Sequence, residues 1–287
     1  MTPALYEPAQ MIDAHQHLWK ISERRYDWIT PESGVLNADF GPEDVAADAA
    51  AAGITATVLV QAADSYEDTF YMLAVAASTP TVAGVVGWVP LDRTAEALAA
   101  LAVLARNPVF KGIRVLSHGY EDPRWMLRDD VTSTIEAIAE LGLTLDYVTS
   151  SPQALSVLVE VARRHPRLTI VLDHLGKPDI AGDGFQAWDA AIAPIAAEPN
   201  VVVKLSGLNS VSAPGWTAAD WRPYVDRAIE LFGPERLMLG SDWPVSLLNG
   251  DFAGVWRGLR ESIAGLPAGQ QDDILYRTAA RVYSLEG

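Results

Sequence analysis

Short apolar segments alternate with longer amphipathic segments along almost the whole chain. Eight of the short segments carry β-branched and aliphatic residues on both faces, which is typical of strands in a buried parallel sheet. The predicted strands are 12–17, 55–61, 82–88, 110–115, 143–148, 168–174, 200–206 and 236–242.

The segments between these strands are rich in alanine and follow a helical period. Predicted helices include 42–52, 66–78, 93–106, 151–165, 186–198 and 219–232. Eight strands with interleaved helices predict a fold of the α/β class, a (β/α)8 TIM barrel. No linker divides the chain, so we expect one domain over 1–287. An open doubly wound sheet is the alternative, but the chain lacks the glycine-rich fingerprints of dinucleotide-binding and P-loop proteins.

The composition narrows the class of protein. With 49 % hydrophobic and 20 % charged residues, the chain is typical of globular proteins. The absence of cysteine removes disulfides, thiolate nucleophiles and cysteine–zinc sites. A net charge of −16 disfavours binding to nucleic acid or to anionic membranes. No apolar run reaches the roughly 18–20 residues of a membrane span. The first ten residues do not resemble a signal peptide, so we expect a cytoplasmic protein.

Polar residues accumulate at the ends of the predicted strands, where a barrel carries its catalytic groups. Charged groups at such positions are costly to bury unless they are paired, so the ensemble predicts an active site. Along the chain these residues are His15, His17, Gln61, Trp88, Lys111, Arg114, Asp146, Tyr147, Asp173, His174, Lys204, Ser206, Ser241, Asp242 and Trp243, with His118 just beyond the fourth strand.

The first predicted strand contains the pair His15 and His17. Side chains at positions i and i+2 of a strand share a face, so the two imidazoles project together, with Asp13 on the same side. A His-x-His pair arises often by chance and needs confirming residues elsewhere.

Five segments supply that confirmation, because together and in this order they resemble the amidohydrolase superfamily. They are Asp-Ala-His-Gln-His-Leu-Trp at 13–19, Phe-Lys-Gly-Ile-Arg at 110–114, Leu-Asp-His-Leu-Gly-Lys-Pro at 172–178, Lys-Leu-Ser-Gly at 204–207 and Gly-Ser-Asp-Trp-Pro at 240–244. More narrowly, they resemble the lactone hydrolase branch, of the L-fuconolactonase and L-rhamnonolactonase type. The resemblance implies the barrel fold and the opening of sugar or organic-acid lactones by water.

The resemblance also implies roles for the strand-end residues. Asp242 would be the general base, and His174 would polarise the carbonyl or hold the oxyanion. His15 and His17 would bind a metal or, in metal-free members, substrate oxygen. One divalent ion, zinc or manganese, would be held by His15, His17 and Asp242, with His174 as a further ligand. The fifth strand has no histidine, which argues against a two-metal site. A helix-capping Asp242 and a structural His174 are the alternatives.

Seven further residues are predicted to bind the substrate: Gln61, Trp88, Lys111, Arg114, His118, Tyr147 and Trp243. Lys111 and Arg114 would contact hydroxyls or a carboxylate; alternatively, they form ion pairs with Asp146 or Asp13. The three aromatic residues would pack against a sugar face or within the barrel. Many relatives have histidine directly after the equivalent of Arg114, whereas this chain has Val115, which leaves the identity of the lactone open.

A sugar lactone is therefore the expected small-molecule partner. The alternatives are a lactonase for muconolactone- or pyrone-type acids, a metal-dependent decarboxylase of the same superfamily, and a non-catalytic barrel that binds sugars or acids. A homodimer is the expected assembly.

Overall fold

Eight parallel strands pair side by side in the order of the sequence. The structure is a computed structural model, and it describes residues 5–117, 120–182 and 184–285. The strands are β1 (Ile12–Gln16), β2 (Ala56–Val60), β3 (Val82–Gly87), β4 (Phe110–Val115), β5 (Thr144–Tyr147), β6 (Thr169–Leu172), β7 (Val201–Leu205) and β8 (Leu237–Leu239). All eight predicted strands are present, and they confirm the predicted barrel.

Helices separate most of the strands. They are α1 (Pro42–Ala51), α2 (Tyr66–Ser78), α3 (Thr94–Leu104), α4 (Asp129–Glu140), α5 (Pro152–Arg164), α6 (Phe185–Ala196), α7 (Ala218–Phe232), α8 (Phe252–Ile263), α9 (Ala268–Asp272) and α10 (Thr278–Val282). Ser151 caps α5 by accepting a hydrogen bond from Ala154, and Pro152 occupies the first turn as predicted. No described helix is both long enough and apolar enough to span a bilayer.

The barrel closes between β1 and the segment that follows β8. His17 N donates to the Trp243 carbonyl at 2.7 Å, and Asp242 N donates to the His15 carbonyl at 2.8 Å. The buried Asp13 carboxylate strengthens this seam, because it accepts from both the backbone and the hydroxyl of Ser241. Asp13 thus binds the last strand segment, whereas His15 and His17 meet each other.

One apolar cluster fills the barrel interior, since its members come from six different strands. The cluster contains Ile12, Ala14, Val58, Val60, Val86, Val171, Val202 and Met238, with Ala279, Val282 and Tyr283 from the C-terminal helix. Burying this surface contributes on the order of 25 cal/mol per Å². The C-terminal segment therefore closes one end of the barrel and leaves the opposite end for the site.

Seven of the eight predicted strands end one to three residues earlier than the sequence indicated. His17, His174 and Asp242 lie beyond β1, β6 and β8, respectively. For His174 and Asp242 the reason is a left-handed backbone, with φ of +54° and +55°, which cannot continue a strand. Their side chains consequently leave the sheet and turn towards a common cleft.

Candidate active site

A cleft of about 1030 Å³ opens at the carboxyl ends of the strands. Four of the residues predicted to be functional line it, namely His17, Arg114, His174 and Asp242. The cleft therefore lies where a barrel carries its catalytic groups. A second pocket, between Leu5 and the end of α8, has about half this volume and contains none of the predicted site residues.

Three donor atoms converge at the floor of this cleft. His15 Nε2 lies 3.1 Å from His17 Nε2. The same two nitrogens lie 3.7 and 3.3 Å from Asp242 Oδ1. Ligands bound tetrahedrally to zinc at about 2.0–2.1 Å are about 3.3 Å apart from one another. The three atoms therefore have the spacing and the chemistry that fit one divalent cation.

The hydrogen bond of His17 orients its ring for such a site. His17 Nδ1 lies 2.7 Å from the Val60 carbonyl, an acceptor, so this nitrogen carries the proton. The lone pair of a neutral His17 is consequently on Nε2, which faces His15 and Asp242. Histidines that bind metals are commonly held in this way through their second nitrogen.

His174 borders the same three donors. Its Nε2 lies 3.9 Å from Asp242 Oδ1, and its Nδ1 lies 2.9 Å from Ser206 Oγ. Burial lowers the pKa of His174 to about 4, so the ring is neutral near pH 7. A Cβ on Gly207 would lie 2.8 Å from His174 Nδ1 and 2.9 Å from Asp242 Oδ2. A glycine is required at this position because His174 and Asp242 approach the backbone so closely.

Asp242 is held as a carboxylate. Burial alone would raise the pKa of Asp242, but the imidazoles of His174 and His15, when they are protonated at low pH, and the hydrogen bond with His17 lower it below the usual aspartate range. Burial also holds the pKa of His15 well below the usual histidine range. Near neutral pH the site therefore combines one carboxylate with the neutral imidazoles of His15 and His174.

A buried network of charges lies beneath the cleft floor. Lys204 Nζ contacts Asp146 Oδ2 at 2.6 Å and Asp173 Oδ1 at 3.2 Å. Arg114 Nη1 contacts Asp173 Oδ2 at 3.1 Å. In the sequence-based alternative, Asp146 or Asp13 was the partner of Lys111 and Arg114. The structure instead assigns Asp146 to Lys204 and Asp173 to Arg114, so both carboxylates are compensated.

Five other predicted binding residues do not line the cleft, namely Gln61, Trp88, Lys111, Tyr147 and Trp243. The amide Nε2 of the buried Gln61 donates to Asp64 and to the Arg114 carbonyl, so it supports other residues. The three aromatic residues are buried: Tyr147 lies on β5, Trp88 packs against Tyr66, and Trp243 packs against Phe40. Their burial agrees with the alternative that these three aromatic residues pack within the barrel and not against a sugar.

Lys111 is far from the cleft. It is the second residue of β4, so it lies near the end of the barrel where strands begin. Its Nζ donates to the Ser284 carbonyl of the C-terminal segment at 2.9 Å. A substrate-binding role for Lys111 is therefore incompatible with its position. The predicted role of His118 lies outside the described residues.

Several residues that the sequence analysis did not select do line the cleft. Lys177 ends a run of four residues with positive φ that begins at His174, and its ammonium group has no ion pair with any described carboxylate. Burial lowers the pKa of Lys177. Asp64, Ser210 and the partly exposed Trp28 also line the cleft. The sequence did hold a signal for Lys177, because this residue belongs to the segment 172–178 that resembles the superfamily and lies three residues after His174.

Comparison with known proteins agrees with this geometry. A family model described as amidohydrolase matches residues 12–285. An L-fucono-1,5-lactonase of Burkholderia ambifaria is 42% identical over 247 residues, which cover 85% of this chain and 84% of that protein. A second L-fucono-1,5-lactonase, from Burkholderia multivorans, is 33% identical over 96% of this chain and 97% of its own length.

A solved structure supports the same conclusion. An amidohydrolase from Burkholderia multivorans, crystallised with bound zinc, superimposes with a TM-score of 0.89 at 32% identity. The match covers 97% of this chain and 100% of that one. From the extent of the family match, the identity of these relatives and the shared barrel, we conclude that the chain belongs to the amidohydrolase family.

Proposed function

We propose that this protein hydrolyses a sugar lactone of the L-fucono-1,5-lactone type. The observation that carries the proposal is the convergence of Asp242 with His15, His17 and His174 at the floor of a wide cleft. Relatives bearing the name of that lactonase are 42% and 33% identical to this chain over most of its length.

His15, His17 and Asp242 would hold one divalent cation. Two imidazole nitrogens and a carboxylate oxygen suit zinc well and manganese less well. When bound, such an ion polarises a carbonyl and lowers the pKa of water. The site resembles catalytic rather than structural zinc sites, because three protein ligands leave a coordination position for other groups.

Asp242 moves the proton in the proposed reaction. Its carboxylate accepts a proton from water, and the resulting hydroxide attacks the lactone carbonyl carbon. The ring C–O bond then breaks, and Asp242 returns the proton to the leaving alkoxide, so the product is a hydroxy acid. A general base in this position typically contributes about 10²- to 10⁴-fold to the rate.

His174 stabilises the oxyanion in this proposal. If the Ser206 hydroxyl donates to Nδ1, the ring proton of the neutral His174 is on Nε2, which faces Asp242 across the cleft floor. A donor held in this way by its surroundings stabilises developing negative charge without reorganisation. Arg114 adds positive charge at the same cleft.

Lys177, Asp64 and Trp28 would bind the sugar. An ammonium and a carboxylate can hydrogen-bond to ring hydroxyls, and an indole can pack against the apolar face of a pyranose. These residues line the cleft together with Ser210. The cleft thus offers separate polar and aromatic surfaces for one small, hydroxylated ring.

The decarboxylase and the non-catalytic barrel are less well supported. Asp146 occupies β5, where a second metal site would need a histidine, and it is already bound to Lys204. A binding barrel would not need Asp242 as a carboxylate beside two imidazoles. The single domain, the homodimer and the cytoplasmic location remain predictions, which limited proteolysis, light scattering and cell fractionation would check.

The test measures acid release from L-fucono-1,5-lactone, other sugar lactones and a muconolactone, using a pH indicator. We expect Asp242→Asn to lower kcat by about 10²- to 10⁴-fold. Asp251→Asn is the matched control: Asp251 caps α8 outside the cleft, and asparagine caps a helix about as well as aspartate, so this variant should keep its stability and its kcat. Full activity in Asp242→Asn contradicts the mechanism, and inactivity of the folded protein on every lactone contradicts the function.

Removal of the metal is a separate prediction. Dialysis against a strong chelator should abolish turnover, because the three donors are then left without their cation. Zinc or manganese should restore it, and magnesium should not, since imidazole ligands disfavour it. Turnover that survives complete removal of metal, checked by elemental analysis, would show that the two histidines bind substrate instead.

A further inference from the structure

Two consecutive loops contribute much of the cleft lining. The first loop, residues 17–41, joins β1 to α1, and the second loop, residues 61–65, joins β2 to α2. Trp28 of the first loop lines the cleft, as do Ala62 and Asp64 of the second loop. The shape of the cleft therefore depends on how the first loop is held against the second loop.

The buried carboxylate of Asp68 binds both loops at once. Asp68 is the third residue of α2, and only 1 % of it is exposed. Its Oδ2 accepts from the backbone N–H groups of Ala62 and Ala63 at 2.7 and 3.2 Å, and its Oδ1 accepts from the Tyr26 hydroxyl at 2.8 Å. The first turn of a helix is a favourable position for a carboxylate. Asp68 thus joins the two loops, with one oxygen atom for each.

A second hydrogen bond between the loops places Trp28 at the cleft. Its Nε1 donates to the Ala62 carbonyl at 2.7 Å, and its ring packs edge to face against the buried Trp19, with 5.3 Å between the ring centroids. The indole remains 39 % exposed where it lines the cleft. Ala62 therefore binds Asp68 through its N–H group and Trp28 through its carbonyl.

We propose that Tyr26 and Asp68 are positioning residues for the sugar and that they act through Trp28. Neither residue lines the cleft, but the hydrogen bond between them holds the first loop on the second loop. The inference rests on the proposed function, in which Trp28 packs against the sugar ring. Such a contact is made in the ground state and in the transition state alike, so its loss raises KM and leaves kcat nearly unchanged.

Steady-state kinetics of Tyr26→Phe on L-fucono-1,5-lactone provide the first test. The variant keeps the buried ring and removes only the hydroxyl. We expect KM to rise by about 3- to 10-fold at a nearly unchanged kcat, which corresponds to the loss of one aromatic contact. Tyr66→Phe is the matched control, because it removes a tyrosine hydrogen bond to the Glu96 carboxylate at the surface. The control should keep the KM and kcat of the wild type.

Limited proteolysis with trypsin measures the attachment of the first loop without turnover. The first loop contains the cleavage sites Lys20 and Arg24. We expect Tyr26→Phe to be cut there about 10- to 100-fold faster, since a buried hydrogen bond to a carboxylate no longer opposes local opening. Cleavage after Arg163 and Arg164, at the end of α5, is the internal reference and should keep its rate. Mass spectrometry of the fragments identifies the sites.

Asp68→Asn provides a second variant. An asparagine side chain has a single acceptor oxygen, so it cannot serve both Tyr26 and the N–H groups of the second loop. We expect faster cleavage in the first loop and a higher KM, as in Tyr26→Phe. In the double variant the increase in KM should be smaller than the two single effects combined, because both substitutions break the same hydrogen bond. Independent effects would overturn the proposal.

The two kinds of measurement separate this inference from the proposed function. If the wild type hydrolyses the lactone while Tyr26→Phe keeps the cleavage rate and KM of the wild type, the inference fails and the proposed function stands. An opened first loop with an unchanged KM, or equally faster cleavage at the end of α5, also overturns the inference. If no lactone is hydrolysed, the proposed function fails, whereas faster cleavage in the first loop alone still shows that Tyr26 holds this loop.

Discussion

At the scale of single residues, the surroundings of each ionisable group decide its charge. Burial raises the pKa of Asp13 to about 6, because the groups that face it are the neutral donors of Ser241 and the His15 backbone. Asp173 is equally buried, but Lys204 and His15 outweigh this effect and hold its pKa well below the usual range. Two equally buried aspartates thus have pKa values shifted in opposite directions, because their neighbours differ in charge.

Lys111 and Lys177, two of the three lysines in the sequence motifs, allow a direct comparison of position. We expect Lys177→Met to lower kcat/KM by about 10- to 100-fold, since a hydrogen bond from a charged donor to the substrate is lost. Lys111→Met should leave kcat/KM unchanged, because its ammonium binds the Ser284 carbonyl. Steady-state kinetics of both variants checks this, and an equal loss in the two would contradict the assignment.

His174 makes stability dependent on pH. Its pKa is about 4 in the folded protein and about 6.5 when unfolded, so between these values the unfolded chain binds more protons. Stability should therefore fall by about 3 kcal/mol as pH decreases from 7 to 4 in metal-free protein. Urea denaturation of the wild type and of His174→Asn between pH 4 and 7 checks this prediction. The free energy of unfolding of the variant should fall less with decreasing pH, because the variant lacks the imidazole. Equal pH dependence in the two proteins would refute the prediction.

At the scale of elements, the turns that follow the strands aim the side chains. His174, Leu175 and Lys177 all have φ between +51° and +54°, and Asp242 has φ of +55°. Such conformations cost on the order of 1 kcal/mol or more per residue and persist only where the surroundings impose them. Two of these four residues belong to the proposed catalytic group, and Lys177 belongs to the proposed sugar site.

Gly207 tests the importance of this geometry. We expect Gly207→Ala to lower kcat by at least about 10-fold, because the new methyl group displaces His174 and Asp242 from their positions. Gly215→Ala is the matched control, since its φ is +81° and nothing lies within 4 Å of the new Cβ. In chemical denaturation both variants should lose about 1 kcal/mol of stability. A normal kcat in Gly207→Ala would contradict the steric argument.

At the scale of the whole molecule, the C-terminal helix is connected to the site. Tyr283 Oη donates to Asp146 Oδ2 at 2.7 Å, and Asp146 binds Lys204, which contacts His15. Burial and the nearby carboxylates hold the pKa of Tyr283 well above the usual range, so its hydroxyl remains a donor. One continuous set of hydrogen bonds therefore joins the closed end of the barrel to the cleft floor.

The Tyr283 hydroxyl should stabilise the barrel. We expect Tyr283→Phe to lower the free energy of unfolding by about 1.5–3 kcal/mol, since a buried charged acceptor loses its donor. Tyr6→Phe removes a similar bond to Asp272 at the surface, and it should lower the free energy of unfolding by less than Tyr283→Phe does. Chemical denaturation of the two variants gives the comparison, and equal losses would contradict a special role for the buried bond.

The sequence by itself determined the barrel and the core of the site. Strand periodicity and alternating helices are local properties, so they predicted all eight strands. The predicted strand boundaries also located the polar residues at the strand ends, among them His15, His17, His174 and Asp242. The position of a residue along its strand also indicates at which end of the barrel it lies. Lys111 is near the start of its strand, so the sequence alone could have placed it away from the cleft.

Only the tertiary structure decided which charged groups meet. Asp146 lies on β5, Asp173 directly follows β6, and Lys204 lies on β7. Their pairing depends on the stagger and closure of the barrel, which no local pattern specifies. The position of Lys177 likewise depends on a left-handed turn that its sequence does not require. Residue types and their order are local information, whereas distances between side chains arise from the packing of the whole chain.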